Sequence, residues 1–198
     1  MNTHAIGDST NRIIIDVLTR EAAVNPGHRW RIEHAQILDL KDIQRLKASG
    51  AIPSVQPTHA VSDMRWAEDR LGTERMKGAY AYKSLINQCG LIAIGTDFPI
   101  EHFNPFLTIH AAVERKNSED IPGGGFEPAE AISFNDCIKG MTSWASIASF
   151  EETRLGSLEA GKDATFAIFE LPLRSSSMFQ ENFSKMTFIK GKKVYSAE

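Results

Sequence analysis

The sequence predicts an α/β protein built on a parallel sheet and followed by a short stretch of antiparallel β structure. Three observations carry that prediction. Short apolar stretches of strand length alternate with helix-patterned segments in four successive β/α units, which is the rhythm of a parallel sheet with crossover helices. The four stretches run out on or near polar side chains fit for chemistry: His4, His34, Gln56 with His59, and Asp97. Beyond residue 150 the apolar period changes from helical to two. Residues 1–150 are therefore expected to form the main unit and residues 151–198 a smaller β segment.

Composition narrows the function classes. The chain is 42% hydrophobic and 24% charged, ordinary for a globular protein with one real core. A net charge of −3 gives no electrostatic footprint for nucleic acid or an anionic membrane. No apolar run approaches the roughly 18 residues of a membrane span, and Met1–His4 is followed by no secretory pattern. Cys89 and Cys137 lack CxxC spacing and read as inert, buried thiols, which suits a reducing cytoplasm.

The first unit is a very short strand ending at His4, a glycine turn at Gly7, and a helix ending before Pro26. Ile13, Ile14, Val17 and Leu18 lie on its apolar face. Arg31–His34 is the second strand. Asp39 caps the helix that follows, with Leu40, Ile43 and Leu46 on one face and Gly50 at the C′ position. Ala51–Pro57 is a strand weakened by two prolines. A long polar segment, Thr58–Tyr82, then holds a helix over Ala60–Leu71, and a loop of that length is usually functional. Lys83–Gln88 leads into the fourth strand, Leu91–Ile94, buried on both faces and ending at Asp97 before Pro99.

Pro105 opens a helix with Phe106, Ile109 and Val113 spaced for burial. Gly123–Gly125 lacks the Lys-Ser/Thr of a phosphate loop and reads as a lid or linker. Ala129–Ser149 reads as one helix. Asp163–Phe169 is a β stretch, and Met186–Ile189 with Lys193–Tyr195 flank a Lys-Gly turn as a hairpin.

In a parallel sheet all strand ends of one polarity share a rim, so His4, His34 and Asp97 are expected to gather there. Two imidazoles and a carboxylate suit a borderline divalent ion such as zinc, and such an ion brings water's pKa toward ~7. Asp97 would then orient the water and carry its proton. A strand-end histidine also serves simply as a hydrogen-bonded loop residue, and the pattern leaves both roles open. His59 would contact a small-molecule substrate or be structural. Asp63 and Arg75 would fix that substrate or pair with other charges of the long loop. His28 reads as a solvated loop residue, while His102 near a loop and His110 on a helix carry no chemistry.

These residues also carry a resemblance. His4–Asp8 (HAIGD), Arg31–Gln36 (RIEHAQ), Gln56–Ala60 (QPTHA) with Ser62-Asp63, Leu71–Arg75 (LGTER) and Gly95–Pro99 (GTDFP) follow the order of the YtcJ-like branch of the amidohydrolase superfamily. Gly156–Ala164 and Gly191–Tyr195 resemble its C-terminal β-sandwich segment, with Thr165 where the family usually has Asp. The resemblance implies a metal-dependent hydrolase of amide-type, non-peptide C–N bonds on a TIM-type (β/α) barrel with a small β-sandwich. It implies His4 and His34 as ligands on strands five and six, and Asp97 after strand eight as ligand and general base. The family's His-x-His pair of strand one is absent from these 198 residues, as is its strand-four Lys or Glu. The expectation is thus a partial barrel, strands five to eight, with part of the sandwich and with Met1 an internal methionine or a boundary. Such a piece would self-associate or pair with the N-terminal half, and a non-catalytic remnant or complementing subunit is the alternative.

Overall fold

A computed structural model describes residues 1–170 and 184–197. Its first sheet has four parallel strands in sequential order: β1 (Asn2–Ala5), β2 (Arg31–His34), β3 (Ile52–Val55) and β4 (Ala93–Ile94). The register pairs Ala5 with His34, Glu33 with Ser54 and Val55 with Ile94. An α/β fold with a parallel sheet is therefore observed. Only two residues of the expected Leu91–Ile94 strand are ladder-paired, but the Gly95 amide still donates to the Val55 carbonyl at 3.0 Å.

Helix α1 (Asp8–Val24) buries Asn11, Ile14, Ile15 and Leu18. Ile13 is 64% exposed and Val17 38% exposed, so the apolar face expected from the sequence is rotated by one position. The reason is Asn11. Its carboxamide donates to the carbonyls of Ala5, Gly7 and Ile37 at 3.0–3.2 Å, tying the helix to the exits of β1 and β2. Helix α2 (Leu40–Ser49) starts at Asp39, which accepts from the Lys41 amide, and stops at Gly50 in the left-handed conformation. Ile43 and Leu46 are buried as expected, whereas Leu40, in the first turn, is exposed. His28 also departs from expectation: it is buried, stacked on Trp30, and bonded to the Ser49 carbonyl.

The long polar segment folds as three short helices, α3 (Pro57–Asp63), α4 (Ala67–Leu71) and α5 (Thr73–Met76). The single helix expected over Ala60–Leu71 is broken because α3 begins at once after β3, with Pro57 in its first turn. Asp63 then turns its carboxylate inward to Tyr80 and Gln36, and Trp66 leaves helical geometry. Helix α6 (Tyr82–Cys89) follows and ends at left-handed Gly90.

Helix α7 (Pro105–Val113) is capped by Asn104 and buries Phe106 and Ile109. The helix expected over Ala129–Ser149 is two, α8 (Phe134–Met141) and α9 (Ser143–Ala148), preceded by a 3-10 turn at Pro128–Glu130. Ser133 caps α8 by accepting from the Asp136 amide, and the break falls at Thr142, whose hydroxyl bonds the Ile138 carbonyl. The second sheet is antiparallel: β5 (Phe166–Phe169), β6 (Ser184–Ile189) and β7 (Lys192–Ser196). Lys190 and Gly191 both have positive φ, the backbone that a two-residue hairpin turn needs.

The main core joins one face of the parallel sheet to its helices through Ile15, Leu18, Ile32, Leu46, Val55, Leu85 and Ile92, while Ile52 and Ala93 belong to a small separate cluster with Ala148. Each such side chain contributes about 1.5–3 kcal/mol by leaving water. Cys137 is buried and Cys89 half-buried; both are free thiols that burial pushes up to about 12. No helix among the described residues is long and apolar enough to cross a membrane.

Two glycines allow close approaches that position the sheet's exits. A Cβ on Gly140 of α8 would lie 2.6 Å from Ile94 Cδ1, and one on Gly78 would lie 1.8 Å from the Leu38 carbonyl oxygen. The Leu38 amide in turn donates to the Gly78 carbonyl at 2.9 Å. Gly78→Ala is expected to lower stability by at least the about 1–3 kcal/mol of an overpacked site, read as a fall in urea midpoint. Gly140→Ala, whose closest contacts would be Ile94 side-chain carbons at 2.6 and 2.7 Å with the Ile92 carbonyl oxygen at 3.3 Å, is expected to cost less than the 1.8 Å backbone clash at Gly78. An unchanged midpoint for Gly78→Ala contradicts the close approach.

Candidate metal centre

Each candidate side chain reaches the rim by the local logic of its own β/α unit. His4 lies in β1 and pairs in register with Glu33, itself bonded to Arg31 at 2.8 Å. His34 is the last residue of β2 and sits at φ 75°, followed by Ala35 at φ 42°. Asp97, three residues beyond β4, has φ 59°. Non-glycine residues in the left-handed region are uncommon and cluster where a site holds a side chain in a demanded direction. His59 arrives differently, from the first turn of α3, whose amino end abuts β3.

The parallel order brings these groups together. The rings of His4 and His34 meet edge-on with centroids 4.6 Å apart, and those of His34 and His59 at 5.8 Å. His34, His59 and Asp97 each offer one ligand atom, all within 4.8 Å of one another. His4 packs against His34 and lies outside that group of three. His59, which the sequence suggested for substrate contact, lies inside it.

The chemistry of the donors fits a divalent cation. His59 Nε2 is buried, lies 3.3 Å from Asp97 Oδ2 without hydrogen-bond alignment, and has no hydrogen-bond partner. A lone pair buried with no protein donor is the arrangement a metal ligand requires. His34 Nδ1 is engaged by Gln56 Oε1 at 2.9 Å, which leaves Nε2 for coordination. Two nitrogens and an oxygen form a mixed set suited to borderline divalent ions.

Asp63 and Arg75 are placed elsewhere. Asp63 accepts from the Tyr80 hydroxyl at 2.7 Å and the Gln36 amide at 3.1 Å. Burial first, and Asp63 second, push the Tyr80 phenol well above its ordinary range. Arg75 Nε donates to Asp8 Oδ2 at 2.9 Å, fastening the long segment to the β1–α1 turn. His102 sits in a loop stacked on Phe103, and His110 is buried on α7. Sequence reasoning gave no role to Glu101, which accepts from Ser62 at 2.6 Å and lies 3.7 Å from His59 Nδ1. Its only signal is its place in the Asp97 loop. Glu101 also lines a cavity of about 230 Å³ with Thr58, Arg65 and Lys116, adjoining the His59 side of the group.

Comparison with known proteins gives the following. The family profile described as "Amidohydrolase family" matches residues 1–195. Protein LONG AFTER FAR-RED 3 of Arabidopsis thaliana is 37% identical over 201 residues, covering 97% of this chain and 33% of the plant protein. The Bacillus subtilis protein designated amidohydrolase YtcJ is 35% identical over 165 residues, covering 83% of this chain and 31% of its own length. An uncharacterized metal-dependent hydrolase from Pyrococcus horikoshii superposes with a TM-score of 0.71 at 31% identity, covering 82% of this chain and 32% of that one. The chain thus spans about a third of the length of the relatives it matches.

The Asp8–Arg75 pair yields a pH prediction. Burial raises the Asp8 carboxyl, but the Ser9 amide and Arg75 outweigh it and hold the group below the usual carboxylate range. A lowered folded pKa contributes stability that is complete above the unfolded value near ~3.9 and is lost as pH falls through the folded one. Arg75→Ala is therefore expected to make the urea midpoint less sensitive to acid below about pH 4, with the largest deficit relative to the parent near neutrality. Equal pH dependence in the two proteins contradicts the tie.

Proposed function

The chain belongs to the amidohydrolase family, and from that premise we propose that it carries the metal-binding rim of a hydrolase cleaving amide-type, non-peptide C–N bonds. The observation that carries the reading is the convergence, within 4.8 Å, of ligand atoms from His34, His59 and Asp97, contributed by three different β/α units. His34 and Asp97 are assigned as ligands, and His4 or His59 completes the set, the other standing beside it. Zinc is the proposed ion, because imidazole and carboxylate donors suit it and it takes water as a further ligand. When bound, such an ion supplies Lewis acidity, polarising a scissile carbonyl and acidifying water.

The chain's own groups do the rest. Asp97 is the exposed member of the group, able to take a proton from the attacking water and return it to the leaving nitrogen. His59 stands between the two carboxylates, 3.3 Å from Asp97 Oδ2 and 3.7 Å from Glu101 Oε1, which biases its ring toward the metal position. The cavity beside Glu101, lined by Arg65 and Lys116, would take part of a small-molecule substrate, and Asp63 and Arg75 would brace the segment that walls it.

In architecture we read residues 1–150 as strands five to eight of a TIM-type barrel with their helices, and 151–198 as a segment of the accompanying β-sandwich. The four-stranded sheet has β1 and β4 as open edges, and unpaired edges invite further strands. A second copy, or a polypeptide carrying the remaining strands, would cover them. That observation favours a second reading, in which this chain keeps the fold but needs a complementing segment for activity. The two free thiols suit a reducing compartment, and the cytoplasm is the proposed location.

Metal analysis with an amidase assay tests the enzyme reading. Stoichiometric zinc and turnover are expected in the purified chain, with Asp97→Asn lowering turnover by more than about 100-fold. Zinc without turnover supports the complementing-segment reading, and absence of zinc binding removes the metal assignment altogether. Light scattering distinguishes a monomer from an assembly that covers the sheet edges.

A further inference from the structure

We propose that Gln56 is a positioning residue that sets the tautomer of His34, holding its Nδ1 as the proton-bearing atom so that Nε2 presents a lone pair to the metal position. The presentation of Nε2 to a metal rests on the metal reading above, while the tautomer itself follows from donor and acceptor chemistry. The Ser54 carbonyl can only accept, and Gln56 Nε2 lies 3.3 Å from it, so the amide nitrogen faces Ser54. The amide oxygen then faces His34 Nδ1 at 2.9 Å, and because that oxygen can only accept, Nδ1 must donate. In a neutral imidazole the other nitrogen is left with its lone pair free.

The Gln56 side chain has little freedom to do otherwise. The residue is 8% exposed, and its own carbonyl accepts from the buried Tyr82 hydroxyl at 3.2 Å. Beneath Tyr82 lies the fully buried Arg115 guanidinium, 5.0 Å from the ring centroid. From Arg115 through Tyr82 to Gln56, packed and bonded groups thus end on the ring of His34. His34 itself has a left-handed backbone, so the direction of its ring is set at both ends.

The same chain holds an internal reference of opposite sense. His28 Nδ1 accepts from the Trp30 amide at 2.9 Å, so Nε2 carries the proton and donates to the Ser49 carbonyl at 2.9 Å. Long-range proton–nitrogen spectra of the metal-free chain at about pH 8, above the ordinary imidazole range, separate the two tautomers. His34 is expected to show the Nδ1–H form and His28 the Nε2–H form. An Nε2–H tautomer at His34 in the parent chain overturns the proposal without any variant.

Gln56→Met fills the space but removes the acceptor, and should leave His34 a mixture of tautomers while His28 is unchanged. Gln56→Glu loses the Ser54 bond, keeps an acceptor for Nδ1, and should restore the Nδ1–H form. Zinc affinity by competition with a chelating dye is expected to fall 10- to 100-fold in Gln56→Met and to recover in Gln56→Glu. A Gln56→Met variant that keeps the His34 tautomer, or a Gln56→Glu variant that fails to restore it, refutes the assignment. If the parent binds no zinc while the tautomers behave as stated, the metal reading fails and the positioning role of Gln56 stands on the spectra.

Discussion

The site depends on register. Four strands run the same way, each paired with the next in chain order, so their carboxyl ends share one edge of the sheet. The pairing of Ala5 with His34 and of Val55 with Ile94 fixes how far each strand extends before its loop begins. A slip of one residue would turn every side chain of a strand to its other face and scatter the imidazoles. The strands are only two to four residues long, so the ladder has few bonds with which to resist such a slip. The helices supply the resistance. Asn11 grips the exits of β1 and β2 from α1, and the notch at Gly140 lets α8 press on Ile94 just ahead of Asp97.

How much of this was legible in the sequence follows from where the information sits. Strand ends bearing His34 and Asp97, the Asp39 cap, the Gly50 stop and the Lys190-Gly191 hairpin are local signals, and the structure shows each of them. What the sequence hid is non-local. The face of α1 turns because Asn11, polar in sequence, becomes an interior anchor through carbonyls that exist only after β1 and β2 pair. The long segment breaks at Asp63 because its partner, Tyr80, is seventeen positions away. His59 joins the candidate ligands because α3 starts immediately after β3, so a residue inside a helix occupies the place of a strand end. Glu101 reaches the cluster only through folding of the Asp97 loop.

Polar groups in the interior act here as connectors between segments rather than as surface decoration. Asn11 joins three carbonyls, the Asp63–Tyr80–Gln36 group locks the long segment to the β2 exit, and Glu130 accepts from both the amide and the hydroxyl of Ser84. Each hydrogen bond such a connector makes is worth about 1 kcal/mol net, and leaving its partner orphaned costs more than that. Such connectors tolerate substitution poorly and specify one arrangement of loops around the rim. They explain how a rim made almost wholly of irregular backbone still presents defined side-chain directions. The reading that the rim binds a metal and performs hydrolysis draws on that same rigidity.

The two thiols described in the core have a consequence of another kind. Cys89 closes α6 and Cys137 lies on α8, so they belong to helices on different parts of the sheet. Burial holds both protonated at neutral pH, and Cys137, which is fully buried, meets electrophilic reagents only when its surroundings open. The polypeptide therefore carries a native stopwatch at Cys137 for breathing of the helix that packs behind the strand leading to Asp97. Oxidants face the same barrier at Cys137, which gives that thiol in the folded chain a resistance to sulfur chemistry that its unfolded form lacks.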